Sequence, residues 1–228
     1  MRALVPQRPR LLSVRQLEQV EPQLAKALGL DPSRHVSAGL VTCDQDDSLY
    51  AALDHATKFA DVDVVYAKSF YAGSAHASGP LSGEILGVLA GPNPSEVAEG
   101  LWALREAITS KIHFVTFEGT SGPAFFPHVI PEVGGYLAPL ANVRVGAPLA
   151  YLIAPPVEAM VGLDAALKVS NVTLQRFFGP PTETNFGGGY LTGELADVEA
   201  AAAEFTRAIE AVVLSPLGGL VRPERERR

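Results

Sequence analysis

Apolar side chains fall at Leu49, Ala52, Leu53, Ala56 and Phe59, the i, i+3, i+4, i+7, i+10 spacing of one face of an amphipathic helix. Ala159, Gly162, Leu163, Ala166 and Val169 repeat that spacing. The two stretches are copies in detail: Leu53, Asp54, Ala56, Lys58 and Val62 recur as Leu163, Asp164, Ala166, Lys168 and Val172, each 110 positions later. Each helix runs into an alternating, β-branched stretch, Val62-Asp63-Val64 or Val172-Thr173-Leu174, which predicts a strand.

The remaining pattern extends the repeat. Residues 1–10 read as a loose arm with two prolines, and 14–28 as a helix capped by Ser13 and ended by Gly29. Pro22 inside it predicts a kink or two short helices. Strands are expected over 36–42, 62–66, 84–90 and 112–117. The acidic turn Asp44-Gln45-Asp46-Asp47 precedes the first organising helix, where anions are favoured. A helix with Val97, Leu101, Leu104 and Ile108 on one stripe follows a Gly-Pro-Asn-Pro-Ser turn, with Ser95 as its cap. In the second half, 125–140 answers the N-terminal helix loosely and 149–154 is a strand. Pro155-Pro156-Val157-Glu158 replaces the acidic turn. A last helix carries Val198, Ala202, Phe205 and Ile209, each 101 positions after its counterpart. Two irregular segments, 69–83 and 178–189, occupy matching places, and segments of this kind are usually functional or mobile. Asn185 to Gly189, rich in glycine, reads as a flexible loop. The charged end, 215–228, reads as a flexible tail. The expected fold is therefore α/β in the α+β sense: two tandem domains, 1–118 and 119–228, each a small, mainly antiparallel sheet with helices on one side.

Composition narrows the function classes. A hydrophobic content of 47% with 19% charged residues describes a globular chain. A net charge of −7 gives no bulk attraction to nucleic acid or anionic membrane. Cys43 is the only cysteine, so neither an intrachain disulfide nor a thiolate metal cluster is expected, and it reads as a small core residue. No apolar run is long enough to span a membrane and no signal-peptide core is present, which makes the cytoplasm the expected location. Nucleotide, metalloprotease, redox and hydrolase motifs are all missing, and the histidines at 35, 55, 76, 113 and 128 lack metal-ligand spacing. His55 reads as a surface residue. Asp46, Asp47 and Glu84 in the first half, with Glu158 and Glu183 in the second, read either as caps and solvated turns or as a small pocket for a cation, with Phe114 as an aromatic face.

The repeated LDAALK pattern, followed by a strand and then a glycine-flanked helix, resembles the bacterial microcompartment (BMC) shell domain. The segments SAGLVTCDQDDSLYAALDHATK, VDVVYAKSFYAGSAH, GPNPSE, APLAYLIAPPVEA, GLDAALK, PPTETNF and YLTG come in the order of the ethanolamine-utilisation branch of that family and cover most of 33–210. The resemblance implies a circularly permuted BMC fold in each half. Three chains would make a six-sided disc that tiles with other shell proteins, in the shell of a cytoplasmic compartment. It implies a structural protein with no catalysis and no cofactor. It further implies a gated central pore bounded by the two irregular loops, with Ser69, Tyr71, Gly73 and His76 on one and Pro180, Pro181 and Glu183 on the other. Ethanolamine would bind between the domains, at positions matching Asp46, Asp47, Glu84, Phe114, Thr184, Asn185 and Phe186, and would favour the closed pore. Phe186 stands where many relatives have tyrosine.

Overall fold

The computed structural model describes residues 1–69, 85–180, 182 and 185–218. Two four-stranded antiparallel sheets carry the repeat. In the first half, β2 (Leu11–Leu17), β3 (Ser37–Cys43), β4 (Asp63–Ser69) and β5 (Ile85–Gly91) lie in the order β2-β3-β5-β4. In the second, β7 (Phe126–Ile130), β8 (Leu149–Ala154), β9 (Thr173–Phe178) and β10 (Gly187–Thr192) lie in the order β7-β8-β10-β9. These orders are the same once the strands are matched by the repeat. A third, two-stranded sheet joins β1 (Leu4–Gln7) to β6 (Phe114–Phe117).

The organising helices form as their periodicity predicts. They are α2 (Asp46–Ala56) and α5 (Pro156–Val169), packed beside α3 (Pro94–Ser110) and α6 (Leu195–Leu214) respectively. Gly162 explains how close the second pair comes, because a Cβ there would lie 2.5 Å from the Phe205 ring. Alternate β8 residues separate two cores. Ala150, Leu152 and Ala154 face α5 and α6, whereas Leu149, Tyr151 and Ile153 belong to the cluster that holds Leu49, Leu53 and Leu104 of the first half. The larger core therefore runs through both halves, and α2 is packed from both.

Four expectations need correction. Residues 1–10 are not a loose arm, since β1 pairs with β6 in register from Leu4↔Phe117 to Gln7↔Phe114. The segment 14–28 is an edge strand, β2, followed by α1 (Pro22–Leu28). Pro22 starts that helix instead of breaking it, as a first-turn proline with no amide to lose does, and the Glu21 carboxylate caps it by accepting from the amides of Gln23 and Leu24. Gly29 does end it, at φ 77°. The counterpart 125–140 divides in the same way into β7 and the short α4 (Leu137–Leu140). Gly187 to Gly189 are not loop but the start of β10, flanked by β8 and β9. There the lack of side chains lets neighbouring backbone approach, and a Cβ on Gly189 would stand 2.6 Å from the Arg176 carbonyl. Smaller shifts occur at the caps. Asn93, not Ser95, caps α3 by accepting from the Glu96 amide, and Asp46 and Asp47 lie inside the first turn of α2. The segment 20–30 also places α1 on the face of the first sheet away from α2 and α3, with Val20 and Leu30 packed on Ala38, Val88 and Ala90. Helices thus flank that sheet on both sides.

Candidate functional site

The seam between the halves is held by a buried carboxylate. Asp54, fully buried in α2, accepts from the backbone amides of Gly134 and Leu137, each at 2.7 Å. Gly134 is required there, because a Cβ would come within 2.4 Å of the Asp54 carbonyl. Thr57 adds a bond from the Gly135 amide at 2.8 Å, and the Lys58 ammonium donates to the Glu132 carbonyl at 2.9 Å. Burial raises the Asp54 carboxyl above its usual range despite these donors.

At the N-terminal end of α2 the seam opens into a cavity of about 250 Å³. Asp46 and Asp47 form its acidic side, while Tyr50, Tyr136, Tyr151, Tyr190 and Phe178 supply aromatic surface. Both carboxylates are almost entirely buried, at 7% and 6% exposure. Asp46 accepts from the Asp47 amide at 2.8 Å and from the Ser69 hydroxyl at 2.9 Å. Asp47 accepts a short hydrogen bond from the Tyr151 hydroxyl, and the Tyr190 ring packs edge-on against Tyr151 with centroids 4.7 Å apart. Burial drives the Tyr151 phenol far up, with the Asp47 charge adding to it, and burial drives Tyr190 up as well. Tyr136 is pushed up to about 12, by burial and then by Asp54. All three phenols are therefore neutral at physiological pH. Arg176, its planar group 5.3 Å from the Phe178 ring, stands at the rim. Thr182 also lines the cavity, its hydroxyl donating to the Phe186 carbonyl at 2.9 Å.

The residues expected at a ligand site are distributed as follows. Asp46 and Asp47 line the cavity together. Phe114 and Phe186 are absent from its described lining. Their rings lie 6.1 Å apart, and Phe114 continues through Phe126 to Tyr151 at ring separations of 5.0 and 5.3 Å. An aromatic chain thus joins the Phe186 segment to the cavity wall. Asn185 is exposed and left-handed at φ 63°. Glu84 and Thr184 lie outside the described residues, as do Tyr71, Gly73, His76, Pro181 and Glu183 of the expected pore loops. Ser69 touches Asp46, and Pro180 is partly buried, against Gly187. Glu158 sits in the first turn of α5, away from the aspartate pair's own helix. Among the described residues no group of acidic, histidine or cysteine side chains could hold a metal ion. His55 is half-buried with its ring 4.6 Å from Phe59, not a free surface group. The tyrosine wall was missed from sequence. Tyr151 and Tyr190 lie 39 positions apart in the chain and face each other only once β8 and β10 pair in register (Tyr151↔Tyr190), so no sequence signal marks them.

Comparison with known proteins fits this fold. No family model matches the chain. The bacterial microcompartment shell protein EutL of Clostridium perfringens is 48% identical over 211 residues, covering 92% of this chain and 97% of that protein. The chain belongs to the EutL family of bacterial microcompartment shell proteins. The E. coli EutL is 42% identical over the same share of the chain and 95% of its own. A monoclinic crystal structure of the C. perfringens EutL superposes with a TM-score of 0.90 at 46% identity, covering 96% of this chain and 99% of that one. The EutL of Leptotrichia buccalis gives 0.88 at 45% identity, over 93% and 98%. Membership settles the coarse function. The chain is a structural component of a microcompartment shell and not an enzyme, and its tandem sheets are the BMC fold of that family. Among the described residues no helix is long and apolar enough to cross a membrane.

Proposed function

We propose that this EutL-family chain forms a homotrimeric, six-sided tile with a gated central pore, set beside other shell proteins, and that ethanolamine in the seam cavity biases the gate. The domain boundary falls at 118/119, after β6. Two sheets of the same strand order give each chain two near-equivalent sectors, and a ring of three closes six. The observation that carries the ligand assignment is the buried Asp46–Asp47 pair facing a tyrosine wall in a cavity sized for a small molecule. The carboxylates fit an ammonium group, the tyrosine faces add cation–π attraction, and Thr182 or a tyrosine hydroxyl fits the alcohol. Glu84, Phe114, Thr184, Asn185 and Phe186 complete the site in this reading.

Coupling to the gate follows from position. Asp46 bonds Ser69, at the root of the first pore loop, and Thr182 belongs to the second. A ligand that engages both aspartates and Thr182 contacts both loops, which is the differential interaction a population shift requires. Ser69, Tyr71, Gly73 and His76 then border the pore with Pro180, Pro181 and Glu183.

Light scattering combined with thermal unfolding tests the proposal. The expected result is a trimer whose melting temperature rises with ethanolamine; a ligand at a hundred times its Kd adds about 2.7 kcal/mol of stability. Asp47→Asn should remove the shift and leave the mass unchanged. A trimer indifferent to ethanolamine would keep the tile and discard the ligand. A monomer at every concentration would discard the tile.

A further inference from the structure

The seam cavity has acids on one side and a base on the other. Tyr151, Tyr190 and Arg176 pair in register across β8, β10 and β9. Tyr151 reaches Asp47 at one end of this row, and Arg176 lines the cavity at the other. Two strand spacings, about 10 Å, separate β8 from β9. The Arg176 charge is felt inside the cavity, because it opposes the rise of both the Tyr136 and the Tyr190 phenol.

The fold makes little use of that arginine. Among the described residues its guanidinium rests on the Phe178 ring, and no carboxylate pairs with it. The repeat does not require a cation there either. The matching position of the first sheet is Tyr66, paired with Val88 as Arg176 is paired with Tyr190. A charge on an edge strand such as β9 can serve to keep sheets from joining, but that role does not need the side chain to line a cavity, as this one does. The cavity is also larger than an amino alcohol requires. Ethanolamine has the bulk of about four water molecules, at about 30 Å³ each, and fills about half of the 250 Å³. It brings no anion to Arg176.

We propose that the cavity takes a short zwitterion, an ω-amino acid with its ammonium on Asp46 and Asp47 and its carboxylate on Arg176, in preference to ethanolamine. This rests on the reading of the cavity as an ammonium site and adds a second recognition point to it. The planar guanidinium offers a carboxylate two parallel hydrogen bonds, which a ligand with an ammonium alone forgoes. A phosphate ester of the amino alcohol would bring close to two negative charges into a cavity that already holds two aspartates, so a carboxylate suits the site better. A diamine is disfavoured, because its second ammonium meets Arg176. The added contact also bears on the proposed gate. Arg176 lies on β9, the strand that leads toward Thr182, so a zwitterion joins α2 of the first half to the root of the second loop.

Calorimetric titration of the intact wild-type protein with ethanolamine, glycine, γ-aminobutyrate and putrescine tests this. γ-Aminobutyrate should bind about tenfold more tightly than ethanolamine, the gain from one charge-assisted contact. Glycine, whose two charges are too close together to span the row, should show no such gain. Putrescine, with a second ammonium in place of the carboxylate, should bind more weakly than γ-aminobutyrate. Arg176→Gln, a change at an exposed position of an edge strand, should abolish the preference for γ-aminobutyrate and keep ethanolamine binding. Arg176→Glu should reverse the order, so that putrescine binds more tightly than γ-aminobutyrate. If ethanolamine binds and γ-aminobutyrate binds no more tightly, if glycine matches γ-aminobutyrate, or if the preference survives in either Arg176 variant, the zwitterion is wrong while the ammonium site stands. If no amine binds to the wild-type, the ammonium site itself falls and the zwitterion with it.

Discussion

Asp54 and Asp164 occupy the same place in the repeat and have opposite surroundings. The first is buried and accepts two backbone amides across the seam; the second is solvent-exposed and pairs with Lys168 along its own helix. Removing Asp54 strands two buried donors, so Asp54→Ala should cost about 3 kcal/mol in a urea titration. Asp164→Ala, which loses only an exposed pair, should change monomer stability by less than about 0.5 kcal/mol. Equal effects would mean that the seam bonds carry no stability. The histidines near the same seam predict a pH dependence. His55 and His128 are both depressed to about 4, chiefly by burial and then by neighbouring positive charge, including Lys58 for both. An unfolded histidine titrates near 6.5. The folded state therefore keeps them neutral, and the stability this contributes is complete above pH 6.5 and lost as the pH falls toward 4. Asp54, raised by burial, acts in the opposite sense and offsets part of the fall. His128→Gln should flatten the decline in urea midpoint between pH 6.5 and 4; an unaltered slope would remove His128 as its source.

At the scale of elements, legibility followed the strength of the local period. The duplicated helices α2 and α5 carry an unbroken 3.6-residue stripe, and α3 and α6 likewise, so their existence could be read directly. The N-terminal segment misled because β2 is an edge strand with a bulge between Leu11 and Ser13. Its alternation is interrupted, and Val14, Leu17, Leu24 and Leu28 then imitate a helical stripe across a strand and a short helix. Gly187 to Gly189 misled because composition favours a loop there, whereas tertiary packing uses bare backbone at the centre of a sheet. The aspartates of the cavity were legible as an acidic cluster at a helix start. The tyrosines were not, because only strand register brings Tyr151 and Tyr190 together and only the fold of one half onto the other brings them to Asp47. Cap identity shows the same limit on a small scale. Asn93 accepts from the Glu96 amide at 3.0 Å, so Asn93→Ala should lower stability by about 1 kcal/mol. Ser95→Ala, inside the first turn, should be within about 0.5 kcal/mol of wild-type. Thermal melts of the two variants separate these outcomes, and the reverse order would move the helix start.

For the whole molecule, the question is whether a duplicated chain behaves as two bodies or one. Sequence periodicity suggests two, since each half has its own sheet and its own pair of long helices. The packing argues for one. A single cluster joins Leu49, Leu53 and Leu104 to Phe126, Tyr151 and Tyr190, Asp54 is satisfied only by amides of the other half, and β6 lies between Phe114 in that shared core and Val115 and Phe117 in the second. Parting the halves would expose this aromatic surface and strand a buried carboxylate together, so a state with one half folded should not accumulate. Two local probes can test this. Trp102, the only tryptophan, reports on α3 in the first half, and the near-ultraviolet dichroism of Tyr136, Tyr151 and Tyr190 reports on the second. Their urea midpoints should coincide in the wild-type. In Asp54→Ala, which weakens the seam without touching Trp102, Tyr151 or Tyr190, the midpoints should separate if the seam is what enforces cooperativity. Coincident midpoints in both proteins would assign the coupling to the apolar core alone, and separated midpoints in the wild-type would restore the view of two independent domains.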